Sequence, residues 1–392
     1  MKPAYNIWDL REQARRRLPK AIWEFIERGT EDDILTAHNN AALRAIKFSP
    51  RTLRDVTTRD LSIELFGKTR SSPLIIAPTG IADLACFRGE SAIAGAAAAA
   101  GLPFSLATSS TTSMDTISRI TAGGTGFWQQ MYLWDRRDLS WQVVDRAAEL
   151  GAEALIVTVD TPIWPNREFN KRNGMANPIR ANPLLAWSIV QRPGWMTAVL
   201  GRYMLGGGLP TFANYPAEVG ARKGGGVARV TNSPSVSWDD VRELKRRFPG
   251  KLLLKGMLNR EDAIAAAEHG VDGVIVSNHG GRTFDAGPAS IEVLAEIVDA
   301  VGGRMTVIFD SGIRRGSDVL KAIAIGADAV MIGRATLYGA GAGGQEGAAR
   351  AIAILKEEIS TAMAMVGVRS LGELDRGYLR QETVPGLRGA GA

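Results

Sequence analysis

The sequence predicts a closed (β/α)8 barrel, the TIM-barrel architecture, on three observations. Short apolar runs recur along the chain, helical patterns separate them, and polar residues stand at their C-terminal ends. The runs are LIIAPTG (74–80), PFSLATSS (103–110), FWQQMYL (127–133), ALIVTVD (154–160), LLLKG (252–256), GVIVSNHG (273–280), TVIFDSG (306–312) and AVMIGR (329–334). Nearly continuous apolar character suits strands covered on both faces. Alternation with helices such as DLSWQVVDRAAELG and REDAIAAAEHG gives parallel βα units, and a terminal glycine is a common helix stop. Eight such units favour closure into a barrel. An open doubly wound sheet is the alternative with the same alternation.

We expect one domain over 1–392, with the barrel at 70–365 and helices plus a small extension before it. A chain of 392 residues, 45% hydrophobic and 22% charged, has the composition of an ordinary soluble protein with a substantial core. Cys86 is the only cysteine, so no internal disulfide forms and a reducing cytoplasm is the expected compartment. The first residues lack an apolar segment of the kind that directs secretion, and no run is long enough to span a bilayer.

Charge is uneven. Between the fourth and fifth runs, residues 170–235 carry Lys171, Arg172, Arg180, Arg192, Arg202, Arg222, Lys223 and Arg229 against the single acid Glu218. This basic loop insertion also holds PLLAWSIV, WMTAVL, Trp187, Trp195 and glycine triplets at 206–208 and 224–226. It reads either as a surface that lies on an anionic bilayer or as a solvated loop over the active site. Basic residues gathered in one glycine-rich loop, without a recognised module, argue against nucleic-acid binding.

In a barrel of this kind the chemistry sits at the C-terminal strand ends. Tyr132, Asp160, Lys255, His279, Asp310 and Arg334 all fall at or just past such ends. A polar group in an apolar strand is costly unless paired, so this placement carries information. Of three histidines, His269 ends a helix and His38 reads as a surface helix residue, both structural. His279, in SNHGGR, follows a strand and precedes two glycines that allow a tight turn and close ligand approach. It is the candidate base; a structural histidine is the plainer reading. Asp160 is placed to orient the imidazole and stabilise its charged form, or else to cap the turn in VDTP. Arg167 and Arg282 flank them, and guanidinium groups grip a carboxylate at two points. Lys255 ends an apolar strand and needs an anionic partner, a reduced flavin being one candidate; a Schiff-base role is the rival. The loops FDSGIRRG and MIGRATLYG, with Arg314 and Arg334, suit a phosphate. Nothing calls for a metal.

Through SNHGGR, TVDTP, DSGIRRG and APTG, and the stretch LPKAIWEFIERGTED, the chain resembles the FMN-dependent L-2-hydroxy acid oxidase and dehydrogenase family over nearly its whole length. Its resemblance to the mandelate dehydrogenase branch is sharpest in DSGIRRGSDVLKA and GRATLYG. The resemblance implies that Pro78, Thr79, Gly80, Thr108, Gln130, Thr158, Lys255, Ser277, Asp310, Ser311, Gly312, Arg314, Gly333 and Arg334 hold FMN. It implies His279 as proton acceptor paired with Asp160, and Tyr132, Arg167 and Arg282 as holders of the substrate. Electrons would pass to the flavin as a hydride or through a carbanion, and from it to a quinone or O2. A homotetramer is also implied.

The chain departs from the family pattern at several substrate positions. Phe25 replaces the usual tyrosine, removing a hydrogen bond to a charged group that is worth about 1.5–3 kcal/mol. Trp164 stands where a smaller residue is common, and the second-strand site often filled by Ser or Trp reads Ala107 and Ser109. These changes suggest an aryl or bulky 2-hydroxy acid. Gly80 resembles the dehydrogenase branch, which implies a quinone acceptor, and the basic insertion agrees with peripheral contact on the inner face of a membrane.

Overall fold

The computed structural model describes residues 1–175, 182–216, 218–219, 231–380 and 383–384. Among the described residues ten strands are formed: β1 (Ile63–Leu65), β2 (Lys68–Arg70), β3 (Leu74–Ile76), β4 (Phe104–Leu106), β5 (Phe127–Met131), β6 (Ala154–Thr158), β7 (Lys251–Lys255), β8 (Gly273–Val276), β9 (Thr306–Phe309) and β10 (Ala329–Ile332). The last eight close a parallel barrel in chain order, sealed where Val330 and Ile332 pair with Leu74 and Ile76. Closure is observed, so the open-sheet alternative falls away.

Side-chain parity explains how the barrel is filled. Successive strand residues point to opposite faces. Trp128, Ile156, Leu253, Ile275, Ile308 and Met331 form the interior cluster, while Leu155, Val157, Leu252, Leu254, Val274, Val276, Val307 and Phe309 pack outward under the helices. The β1–β2 hairpin contributes Leu65 and Phe66 to the interior cluster, and Phe66 lies 5.9 Å from the Trp128 ring. A sealed apolar interior of this kind is a floor rather than a pore.

The chain before the barrel forms helices Ile7–Arg17, Lys20–Glu27 and Ile34–Ala45. The first is capped by Asn6 and buries Ile7, Leu10 and Ala14 against the helical segment Arg334–Val366, where Gly341 lets Ala14 and Leu18 approach. Glu27 then joins both parts, accepting from Arg11 at 2.6 Å and from the Tyr338 hydroxyl at 2.6 Å. This fixes the backbone of residues 25–28 beside the barrel mouth.

The insertion between β6 and β7 is not simply a loop: it holds the helical segments Glu168–Arg172, Pro183–Val190, Pro193–Trp195 and Arg202–Leu205, the last two joined by a π-helical turn at Met196–Gly201. It is fastened to the N-terminal extension and to the segment after β3: the Ser188 hydroxyl accepts from Ala21 N–H at 2.9 Å, and Tyr203 donates to Asp83 at 2.6 Å. Its two tryptophans part company. Trp195 is buried and donates to the Leu84 carbonyl, whereas Trp187 is exposed in a stripe with Leu184 and Val190. Met204, Leu205 and Leu209 extend the exposed apolar surface. Arg180, Arg222, Lys223, Arg229 and Gly224 to Gly226 lie outside the described residues. Among the described residues no helix is long and apolar enough to cross a membrane.

Leu253 is fully buried within the interior cluster. Leu253→Ala is therefore expected to cost about 2–5 kcal/mol of stability, read as a lowered denaturation midpoint; an unchanged midpoint would contradict a packed interior.

Candidate active site

The parity that sends Trp128, Ile156, Leu253, Ile275 and Ile308 inward also sends Gln130, Thr158, Lys255, Ser277 and Asp310 inward, two residues further along. These five are buried and form a polar layer above the apolar floor. Thr108 clamps Gln130, donating its N–H to the side chain and its hydroxyl to the backbone carbonyl, and Gln130 Nε2 donates to Thr158 at 2.9 Å. Lys255 Nζ donates to Ser277 Oγ at 2.9 Å and lies 3.3 Å from Asp310 Oδ2. The counter-ion the lysine requires is thus supplied by Asp310 from the neighbouring part of the ring.

Ser277 also shapes the next turn, because its Oγ accepts from His279 N–H at 3.0 Å. His279, Gly280 and Gly281 all adopt positive φ, at 58°, 66° and 75°. A non-glycine residue there is strained, and the strain is held by neighbours. The Asn278 side chain accepts from Gly281 N–H and exchanges amide hydrogen bonds with buried Asn39 at 2.7 and 3.0 Å, while Ser311 Oγ accepts from Gly280 N–H. Asn278 and Asn39 escaped the sequence reading. An asparagine beside a Gly-Gly turn is a turn signal, but its partner lies 239 residues away.

The turn delivers the imidazole to Asp160: Nδ1 lies 3.1 Å from Oδ1 and 3.3 Å from Oδ2, with Thr161 donating to the same carboxylate. The short contact assigns the Nδ1 proton to this bond, leaving Nε2 as a free acceptor. Burial pushes the His279 pKa down, outweighing the upward pull of Asp160. Burial acts upward on Asp160, but His279, Lys255 and Thr161 together hold it below the usual carboxylate range. At neutral pH the pair is a neutral base beside an ionised carboxylate.

Three guanidinium groups gather on the same side, and they bond to carbonyl oxygens. Arg167 Nε donates to the Arg282 carbonyl at 3.2 Å; Arg282 donates to the carbonyls of Phe25 and Arg28 at 2.9 and 2.7 Å. Arg334 reaches the carbonyls of Ile26 and Gly280 at 3.0 and 2.7 Å. The sequence reading assigns its charge to a phosphate; the side chain instead turns toward the histidine loop. Burial lowers the pKa of all three, and for Arg282 the fields of Arg167 and Arg334 add to it. Among the described residues none of the three forms an ion pair, so the cluster attracts an anion. Tyr132 is half-buried nearby, its phenol kept protonated by burial and by the Asp160 charge. Phe25 lies beneath Arg282, with the guanidinium 5.5 Å from its ring centre. Trp164 is apart from this group, 51% exposed on the segment after β6.

A phosphate fits the ends of β9 and β10. Arg314 is buried, bonds to the Ile313 carbonyl and the Tyr338 hydroxyl, and leaves Nε without a partner. A helix starts at Arg334, so its first-turn N–H groups have no acceptor within the helix. Gly312 takes φ 84°, where a side chain would also strike Leu43 and Asn39. Gly333 faces Ala77 and Thr79, which brings Pro78, Thr79 and Gly80 to the same rim. The donor set and the polar layer together suit a flavin mononucleotide.

A parallel barrel carrying a base, an anion-binding arginine cluster and a phosphate cradle at one mouth belongs to the class of flavin-dependent oxidoreductases. The chain is a member of the FMN-dependent dehydrogenase family, which it matches over residues 14–381. It is 38% identical to a peroxisomal (S)-2-hydroxyacid oxidase of Arabidopsis thaliana, covering 97% of this chain and 98% of that one. Identity to the (S)-mandelate dehydrogenase of Pseudomonas putida is 35%, over 97% and 95% of the two chains. A crystal structure of monotopic membrane protein (S)-mandelate dehydrogenase superposes with a TM-score of 0.89 at 34% identity, covering 97% of this chain and all of that one. The protein is accordingly an FMN-dependent enzyme of 2-hydroxy acid oxidation.

The His279 imidazole is expected to titrate below 6.5, the ordinary histidine value, and Asp160→Asn to lower it further by removing the one strong upward influence. NMR of labelled histidine reads both. Because the folded pKa values of His279 and Asp160 are both depressed, the unfolded chain binds more protons in acid. Their contribution to stability is present above the unfolded values and lost as pH falls through the folded ones.

Proposed function

We propose that this chain oxidises an L-(S)-2-hydroxy acid with an aryl or otherwise bulky side chain to the 2-keto acid. The observation that carries it is the convergence of His279, paired with Asp160, and two half-buried guanidinium groups that lack an anionic partner among the described residues. Arg167 and Arg282 grip the substrate carboxylate at two points. Tyr132, held as a neutral phenol, donates to the substrate oxygen. His279 Nε2 accepts the proton released on oxidation, and Asp160 stabilises the resulting imidazolium. Pro78, Thr79, Gly80, Thr108, Gln130, Thr158, Lys255, Ser277, Asp310 and Ser311 hold the ring and ribityl chain of FMN, and Gly312, Arg314, Gly333 and the backbone N–H of Arg334 its phosphate end. When bound, FMN supplies the two-electron acceptor for the substrate.

Bulk is supported by Phe25, which offers a ring and no hydroxyl to the substrate side of Arg282, so a small acid lacks one anchoring bond. Trp164, exposed on the same loop region as Arg167, adds an apolar side chain at the rim of this pocket in our reading. Two features support a quinone-type acceptor. Gly80 resembles the dehydrogenase branch, where oxidases more often have alanine, and the insertion presents Leu184, Trp187, Val190, Met204, Leu205 and Leu209 to the outside. An apolar stripe on a basic insertion suits the surface of an anionic membrane, where quinones reside. The reading therefore places the protein, as a homo-oligomer, on the inner face of the cell membrane. O2 as acceptor is the second reading, and Gly80 decides between them. A Cβ at Gly80 would meet Ser109 at 3.5 Å, an ordinary contact, so Gly80→Ala is compatible with the fold.

Anaerobic mixing tests the substrate: (S)-mandelate is expected to bleach the flavin with a higher kcat/KM than L-lactate, and the reverse order would refute the aryl assignment. His279→Gln should lower kcat about 10²–10⁴-fold with the flavin still bound. Gly80→Ala is expected to raise turnover with O2 relative to a soluble quinone; equal O2 turnover in both proteins would count against the acceptor assignment.

A further inference from the structure

The closing part of the insertion forms a strap across the loop that follows β4. Ala213 N–H donates to the Ser110 carbonyl at 3.0 Å, Asn214 Oδ1 accepts from Met114 N–H at 2.8 Å, and Asn214 Nδ2 donates to the Thr112 carbonyl at 2.9 Å. These bonds hold Tyr215, whose ring stacks on Phe212 at 5.0 Å and meets Trp134 edge-on at 5.1 Å. Trp134 follows β5 just past Tyr132, and the Tyr215 phenol is among the groups whose field reaches Tyr132. Its own hydroxyl lies 3.4 Å from Ser109 Oγ, and Ser109 is the neighbour that faces Gly80. Both side chains are half-buried.

Topology says what this pair faces. In the ring of eight strands, β4 is four places from β8 in either direction, so Ser109 stands across the mouth from His279 and Arg282. With Arg282 and His279 after β8, Arg167 after β6 and Tyr132 after β5 around the carboxylate and hydroxyl, the side left open for the substrate's side chain is that of β4. We infer that Tyr215 and Ser109 form a polar end wall of the substrate pocket that binds a hydrogen-bonding substituent, such as a para hydroxyl, at the far end of an aryl side chain. Their mutual contact is at the long edge of hydrogen-bond distance, and neither hydroxyl has another side-chain partner among the described residues, so each retains donor and acceptor capacity for a guest. The remaining wall, Phe212 and Trp134, is flat and apolar, as an aromatic ring requires.

This inference rests on the proposed 2-hydroxy acid reading but is tested by binding rather than turnover. Phenylacetate and 4-hydroxyphenylacetate, which lack the reacting hydroxyl, are titrated into the FMN-loaded protein and followed by perturbation of the flavin absorbance. The hydroxylated acid is expected to bind about tenfold more tightly, the worth of one or two neutral hydrogen bonds. Tyr215→Phe and Ser109→Ala should each bring the ratio toward unity; a purely structural role would weaken both ligands alike and leave the ratio intact. Equal affinities in the unaltered protein, or a preference that survives both substitutions, would overturn the inference. Oxidation of (S)-mandelate is measured alongside: its failure would sink the oxidation reading while the binding ratio still judges the end wall.

Discussion

Two half-buried guanidinium groups, without a carboxylate partner among the described residues, set the terms for the rest of this site. Burying such a charge is expensive, and carbonyl dipoles offset the cost only in part. The carbonyls come from distant places: Phe25, Ile26 and Arg28 in the N-terminal extension, Gly280 and Arg282 in the loop after β8. The extension is therefore more than a cover for the helical shell. Its anchoring through Glu27, Arg11 and Tyr338 places the very oxygen atoms that hold the arginines in place. A carboxylate ligand completes a set of charges that the protein alone leaves unbalanced.

The same economy of placement governs the base. A strained backbone at His279 is tolerated because Ser277, Asn278 and Ser311 each bind one N–H of the turn. Ser277 belongs at once to the lysine–aspartate pair of the polar layer, so the flavin-facing floor and the imidazole are coupled through one hydroxyl. Burial keeps the imidazole neutral, and Asp160 fixes which nitrogen carries the proton. Geometry and acidity thus come from the same few contacts.

Much of this was legible in the residues. Eight apolar runs announced the barrel, and Lys255 and Asp310 stood out at the ends of apolar strands, whereas Gln130, Thr158 and Ser277 were named only through the family resemblance. His279 with Asp160, and Arg167 with Arg282, were identifiable because charge at the end of an apolar strand has few structural explanations. What escaped depends on long-range contacts. Asn39 and Asn278 meet across the fold, and no local pattern links them. Arg334 could not be oriented from a motif, since its direction is set by carbonyls of the extension. Trp187 and Trp195 looked alike in a basic, glycine-rich segment, yet one packs under the insertion and the other faces out. Tyr215 lay in a stretch with no periodicity, and only the strap's hydrogen bonds bring it to the mouth.

The account stands on anion capture by Arg167 and Arg282, and one comparison of affinities tests it directly. Phenylacetate and its neutral amide have nearly the same shape and differ in charge. Titrated into the FMN-loaded protein, the acid is expected to bind at least about tenfold more tightly than the amide, as charged hydrogen bonds require, and to lose that advantage in Arg282→Met. Equal affinity for acid and amide would mean that the arginine cluster answers to something other than a substrate carboxylate.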